Sequence, residues 1–342
     1  MHDKLISLDA TILSAASVVG GKEHNGPLGD CFDFYSDTDR FGQDTWEKAE
    51  GEMQRMALAA AMGKVGKTEQ DIGVLFAGDL LNQCTGSAYG LLSYDIPFLG
   101  LYGACSTMVE GLLLSSVMVS NHIYDMAAAV TSSHNASAER QFRSPIEYGG
   151  QRPPTGQWTV TGAGAVLLTE RSMAAIPLAH ITSAMPGITV DKKIKDANDM
   201  GAAMAPAAES TLLRYFEASK TAPDEYDLIV TGDLGWVGGD ILCDLMLRDG
   251  IDIRSQYNDC GRMMFSRNTQ DTHSGGSGCG CVATVFASYL LPRITSGHIK
   301  RMLLMGTGAL LSPDSLKQGQ SIPGVAHLVC IESPTIQRKD GH

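Results

Sequence analysis

The order of apolar segments predicts a layered α/β fold built from two similar halves, with sheets covered by helices. Three observations carry this. Strand-like and helix-like stretches alternate along most of the chain. The same series of segments occurs twice, in the same order. In each half, a glycine-rich turn opens a long apolar helix.

In the first half, a helical segment from about Trp46 to Val65 precedes the strand Ile72–Leu80, which ends in Gly-Asp-Leu. In the second half, a helical segment from about Ala205 to Ser219 precedes Tyr226–Leu234, which also ends in Gly-Asp-Leu. The two turns follow, Gly103-Ala-Cys105-Ser106 and Ser274-Gly-Gly-Ser-Gly-Cys-Gly-Cys281. Helices are expected over about Ser106–Asn121 and Cys281–Ile294, from their apolar spacing. Strands come next, at Met126–Thr131 and Arg301–Gly306, and each half closes on another, Gly162–Glu170 and Gly324–Glu332. Five matches in register imply an internal duplication, with halves at 1–171 and 172–342.

Cys105 is the residue that first draws attention. The stretch Phe98-Leu-Gly-Leu-Tyr runs into Gly103-Ala-Cys-Ser and then into an apolar helix. A cysteine held at a strand-to-helix turn meets free N–H groups and the positive end of the helix dipole, which favour a thiolate nucleophile. The same turn also suits a small buried core thiol.

Composition narrows the function. The chain has 342 residues, 44% of them hydrophobic and 19% charged, as in an ordinary globular protein. There is no run of about 18 uncharged apolar residues, so no membrane span is expected. Met1–Asp9 lacks the pattern of a secretory signal. The eight cysteines show no Cys-x-x-Cys spacing, and Cys279-Gly-Cys281 reads as small buried residues; reduced thiols in a cytosolic setting fit. A net charge of −12 argues against nucleic acid, and against an anionic membrane surface unless a local basic patch exists. No His-x3-His, acidic triplet or dinucleotide fingerprint is present, and no metal or cofactor is expected.

The duplicated order, the Gly-Ala-Cys-Ser turn and the Gly162-Ala-Gly-Ala-Val-Leu-Leu168 strand resemble the thiolase and ketoacyl synthase superfamily. The resemblance runs from about Ala10 to Glu332 and implies a thiolase-like fold, two βαβαβαββ halves in five αβαβα layers. Other segments resemble one subgroup, the stage V sporulation protein AD family. They are Gly26-Pro-Leu-Gly29, Gly103–Thr107, Thr131-Ser-Ser-His-Asn135 with Arg140 and Phe142-Arg143, Arg152–Trp158, and His273–Cys281.

The resemblance to condensing enzymes implies a catalytic cysteine, a His after the second-half strand, and a His or Asn in a later glycine-rich turn. Cys105 stands at the nucleophile position. The second-half strand runs instead into Asp233-Leu-Gly-Trp236-Val237, and His273 lies a few residues early. Each missing donor costs about 3–4 kcal/mol of transition-state stabilisation. The thiolase Cys-x-Gly turn is also unmatched, since that region reads Gly306-Thr-Gly308.

The subgroup resemblance therefore implies a non-catalytic subunit that binds dipicolinic acid, pyridine-2,6-dicarboxylate, alone or as its Ca2+ chelate. It would act with the other subunits of a spore channel complex, in dipicolinate uptake and release, peripherally at the spore inner membrane. Cys105, His134, Arg143, Trp236, His273 and Ser274 are the expected ligand-binding residues, with Arg140, Arg152 and Trp158 as weaker candidates. An acyl-transferring enzyme using Cys105, with His134 or His273 as base, and a structural scaffold are the alternatives. A homodimer, or a pseudo-dimer-like monomer with an open edge, is expected, the Ala127–Thr131 strand being compatible with the dimer seam that the resemblance implies.

Overall fold

The computed structural model describes residues 4–142 and 152–335. Thirteen strands are present among them: β1 Ile6–Gly20, β2 Phe34–Ser36, β3 Val74–Gly78, β4 Phe98–Leu101, β5 Met126–Ser133, β6 Trp158–Thr159, β7 Gly162–Glu170, β8 Ala179–Met185, β9 Leu228–Thr231, β10 Tyr257–Asp259, β11 Gly276–Ser277, β12 Arg301–Ala309 and β13 Gly324–Glu332. Ten of them form one continuous path, β10-β9-β12-β13-β8-β1-β7-β5-β3-β4, with β2 added alongside β1.

The duplication is written in that order. Within β1, β3, β4, β5 and β7 the spatial sequence is third, second, fourth, fifth, first; within β8, β9, β10, β12 and β13 it is the same. The sense of pairing also repeats. β4, β3 and β5 are parallel, as are β10, β9 and β12, while β7 and β13 run antiparallel to their neighbours. The halves join where β1 pairs antiparallel with β8.

Helices complete five layers. Trp46–Lys64 covers the outer face of the first half against β1, β5 and β7. Met200–Ser219 and Gly235–Arg248 cover the second, the former packing on β12 and β13. Between the halves lie the elbow helix Thr107–Ser120 and the helix Cys279–Val285, which touch each other. The elbow helix packs on β1, β3, β5 and β7 of its own half and on β12 and β13 of the other. Covered on both faces, β5 is buried along its whole length and reads as a continuous run of small and apolar residues. Gly308 lets β12 approach the elbow, since an added Cβ there would lie 2.5 Å from the Gly103 carbonyl oxygen.

Two expectations change. The outer helix of the second half begins at Met200, not near Ala205, because Asp199 caps it by accepting from Ala202 N at 3.2 Å, and Pro206 lies inside. The Ala127–Thr131 segment lies in β5, between β3 and β7, so it cannot be a dimer seam. The free edge on that side is β4.

Candidate functional site

The site begins with a strained turn. Ala104 has φ 52°, a left-handed conformation that costs a residue with a Cβ about 1 kcal/mol or more. Hydroxyls lock the turn. Ser106 Oγ donates to the Gly103 carbonyl at 2.6 Å, and Thr107 Oγ1 donates to the Ala104 carbonyl at 2.6 Å. The result is a short 3-10 turn, Ala104–Ser106, that carries Cys105 into the interior ahead of the elbow helix.

From the other half, the turn after β9 delivers Asp233. Its carboxylate accepts from Thr307 Oγ1 at 2.6 Å, from Ser277 Oγ at 3.0 Å and from Gly278 N at 3.3 Å. Ser277 links this acid to the elbow, its Oγ standing 3.9 Å from Cys105 Sγ. Ser277 is held in register by the β6–β11 ladder, in which Trp158 pairs with Gly276 and Thr159 with Ser277. The Arg152–Trp158 segment thus builds the strand that aims Ser277 at Cys105.

Electrostatics reverse the expectation of a thiolate. Burial, and then the negative Asp233, push the Cys105 thiol well above its ordinary range. Asp233 is itself raised by burial, an effect opposed by the hydrogen bonds it accepts. Cys105 is held as a thiol.

Above this pair opens a cavity of about 410 Å3. Leu80, Phe142, Met200, Leu310 and Leu311 give it apolar walls; Asn82, Tyr102, Thr159, Ser277 and Ser312 supply polar groups, and Glu139 an acid. Among the described residues its lining contains no Lys, Arg or His.

Of the residues singled out in the sequence, Cys105 lines the cavity and the others described do not. His134 is buried, with Nε2 donating to the Asp39 carbonyl at 2.9 Å and Nδ1 accepting from Ala136 N at 3.1 Å. Both ring nitrogens are engaged, and burial lowers its pKa, so it is a neutral structural imidazole. His273 pairs with exposed Asp271 at 2.9 Å. Ser274 is buried, its Oγ accepting from Val237 N at 3.1 Å. Trp236 lies against the guanidiniums of Arg262 and Arg267, 4.9 and 4.6 Å from the ring centre. Arg143 lies outside the described residues. Arg140 pairs with Glu47. Arg152 stacks on Trp158 from 4.7 Å, as does Lys22 Nζ from 3.6 Å.

Several of these residues still belong together. The backbone N–H of Trp236 donates to the Ser274 carbonyl and that of Trp158 to the Gly275 carbonyl, so the main chain at both tryptophans braces the glycine-rich turn. The turn's tip, Ser277, is what reaches the cavity. Sequence reasoning had missed Ser277, Thr307 and the role of Asp233; the repeated Gly-Asp-Leu was the available signal.

The fold and the buried cysteine turn define a thiolase-like protein related in architecture to condensing enzymes. A variant of OleA from Xanthomonas campestris superposes with a TM-score of 0.59 at 14% identity, covering 96% of this chain and 99% of that one. The 3-oxoacyl-(acyl carrier protein) synthase III, FabH, of Xanthomonas oryzae pv. oryzae gives 0.54 at 16% identity, covering 95% and 99%. Within that architecture the chain belongs to the stage V sporulation protein AD family, whose pattern matches residues 4–332. It is 43% identical over 319 residues to stage V sporulation protein AD of Bacillus subtilis (strain 168), covering 93% of each. The protein is thus a sporulation protein. Among the described residues, no helix is long and apolar enough to cross a membrane.

Proposed function

We propose that this chain is a non-catalytic subunit that binds dipicolinic acid in the cavity over Cys105, and that it serves dipicolinate movement at the spore inner membrane as a peripheral partner of a channel complex. The observation that carries the non-catalytic reading is the Cys105–Asp233 pair. Burial, and then the Asp233 charge, raise the pKa of a thiol that acyl transfer would need lowered. An oxyanion forming beside Asp233 would be repelled rather than stabilised. The cavity volume, about 410 Å3, suits a single-ring ligand.

Charge favours the calcium chelate over the free dianion. The described lining offers hydroxyls, an amide and Glu139, with no cation. Free dipicolinate brings two carboxylates to an acidic floor; the chelate is neutral, and hard Ca2+ accepts further oxygen donors of this kind. Arg143, one residue beyond the wall residue Phe142, is retained as a ligand-binding proposal, because it follows the described wall directly.

Calorimetric titration with dipicolinate, with and without Ca2+, tests the reading, with phthalate and acetyl-CoA run beside it. Saturable binding that phthalate fails to reproduce, tighter with Ca2+, is expected. Heat from acetyl-CoA without heat from dipicolinate would return Cys105 to acyl transfer, and silence from all ligands would leave a scaffold.

A further inference from the structure

Behind the two walls of the cavity lies a second buried acidic pair. Glu50 Oε1 accepts from Ser132 Oγ at 3.1 Å and Oε2 from Ser137 Oγ at 2.7 Å. Asp79 Oδ1 accepts from Leu81 N at 2.8 Å, and Oδ2 from Ser87 N at 2.7 Å and Ser87 Oγ at 2.6 Å. Gln54 joins the two systems, its Nε2 lying 2.7 Å from Ser132 Oγ and 2.9 Å from Ser87 Oγ. The chain Glu50–Ser132–Gln54–Ser87–Asp79 is continuous and buried throughout. The carboxyl-bearing side chains converge on Gly86, where an added Cβ would lie 3.1 Å from Glu50 Cγ and 3.2 Å from Asp79 Oδ2. Among the described residues, no cation is bonded to either carboxyl.

Each acid holds one wall. Asp79 fixes the turn carrying Leu80 and Asn82. Glu50, through Ser137, fixes the helix Asn135–Phe142, which presents Ala138 and Phe142 to the cavity. The walls are also tied directly, with Gln141 Nε2 donating to the Leu80 carbonyl at 3.0 Å and Asn82 N to Gln141 Oε1 at 3.0 Å. We propose that Glu50 and Asp79 are positioning residues for the Cys105 cavity, and that ligand binding there is linked to a proton held in this pair.

Two like charges in a closed network without a counter-ion repel, so the walls seat best when one carboxyl is protonated. Burial, then Asp79, push Glu50 up to about 8, and Asp79 is raised by burial. Of the other groups facing the pair, Tyr102 is raised above its ordinary range by burial, and it and the cysteines titrate above the pair. Cys84 is pushed up to about 11 and Cys279 well above its usual range. His134, packed on the same helix start, is neutral. Glu110 lies beyond Cys84, and Glu47 and Arg140 pair with each other outside.

The inference rests on the cavity being the dipicolinate site. Its test is affinity for dipicolinate with Ca2+ between pH 6.5 and 9.5, where the ligand's carboxylates stay ionised. The wild type should lose about tenfold in affinity as pH rises through about 8, the equivalent of ~1 pKa unit of linkage. Glu50→Gln should flatten the profile, and Ser137→Ala, which cuts the tie from Glu50 to the wall together with the Ser137 bond to the His134 carbonyl, should weaken binding and flatten it too. A flat wild-type profile, or an unchanged slope in both variants, overturns the inference. Hydrogen exchange of residues 135–142 in the unliganded protein provides a readout that needs no ligand. Protection that falls above pH 8 in the wild type but not in Glu50→Gln supports wall positioning even if dipicolinate does not bind, which would refute the functional reading alone. Equal protection in both proteins refutes the inference.

Discussion

Cys105 and Asp233, both buried and contributed by opposite halves of the duplicated fold, meet through Ser277, whose Oγ stands 3.9 Å from Cys105 Sγ and donates to Asp233 Oδ2 at 3.0 Å. The pair closes the floor of the cavity and fixes its chemistry. A cysteine presented at a nucleophile's position is held protonated by its burial and, after that, by the acid nearby.

Asp233→Asn removes the charge that holds the thiol up while leaving an oxygen for Thr307 and Ser277. Cys105 should then alkylate faster with iodoacetamide at pH 8, by about tenfold for each ~1 unit that its pKa falls. Peptide mass spectrometry follows the rate at Cys105. An unchanged rate would mean that burial alone protects the thiol.

Cys105→Ala should fold normally. The residue is small and buried, and losing one sulfur costs about 1 kcal/mol. Ligand affinity should fall while the melting temperature changes little. Unchanged affinity would remove the elbow from the binding site.

Gly308→Ala should do the opposite, disturbing the frame first. Its Cβ would meet the Gly103 carbonyl at 2.5 Å, so β12 or the elbow must move. A loss of about 1–3 kcal/mol is expected from denaturant unfolding. A neutral result would show that the β12–elbow contact yields easily.

Stability should decline between about pH 6.5 and pH 9, above the range where buried His327, lowered to about 4, acts the other way. Glu23 and Glu50 are both raised to about 8, chiefly by burial. A carboxyl raised on folding favours the native state fully below its unfolded value, near 4.4, and this contribution is lost as pH rises through the folded value. The exposed Asp71, Asp191 and Asp252, lowered to about 2, act oppositely, and their effect is complete by about pH 5. Melting temperatures across this range check the sign; a rise toward pH 9 would contradict it.

The edge strand β4 supplies the dimer proposal in place of β5. Phe98 and Leu99, on this edge strand, are 40% and 46% exposed, large apolar side chains left open at the sheet edge. A second copy adding its own β4 would extend the sheet. Leu99→Arg should convert a dimer to a monomer in sedimentation experiments without lowering the melting temperature; a wild type that sediments as a monomer would refute the proposal.

Much of the frame was legible because local sequence decides it. Gly162–Glu170 and Gly324–Glu332 have strand bounds that match the sequence reading, since apolar runs covered on both faces leave little ambiguity. The elbow was legible as well, because Gly103-Ala-Cys-Ser between a strand and a helix has few other readings. The site was not. Asp233 meets Thr307 through the β9–β12 pairing and reaches Cys105 through the packing of the halves, and no local pattern encodes either contact. His134 looked like a ligand because its acceptor, the Asp39 carbonyl, lies 95 positions away, in a loop where Asp39 has φ 54°. Trp158 and Trp236 were placed near the site for the right turn but the wrong atoms: they brace its base, while Ser277 at its tip does the facing.

The measurement that bears most directly on the central claim fills the cavity. Ala138 is buried on its wall, and Ala138→Trp places an indole where the ligand would lie. Circular dichroism establishes that the variant is folded, and titration with dipicolinate and Ca2+ then compares it with the wild type. Saturable binding in the wild type that disappears in the folded variant is the predicted result. Equal affinity in both would place the dipicolinate site elsewhere on the molecule.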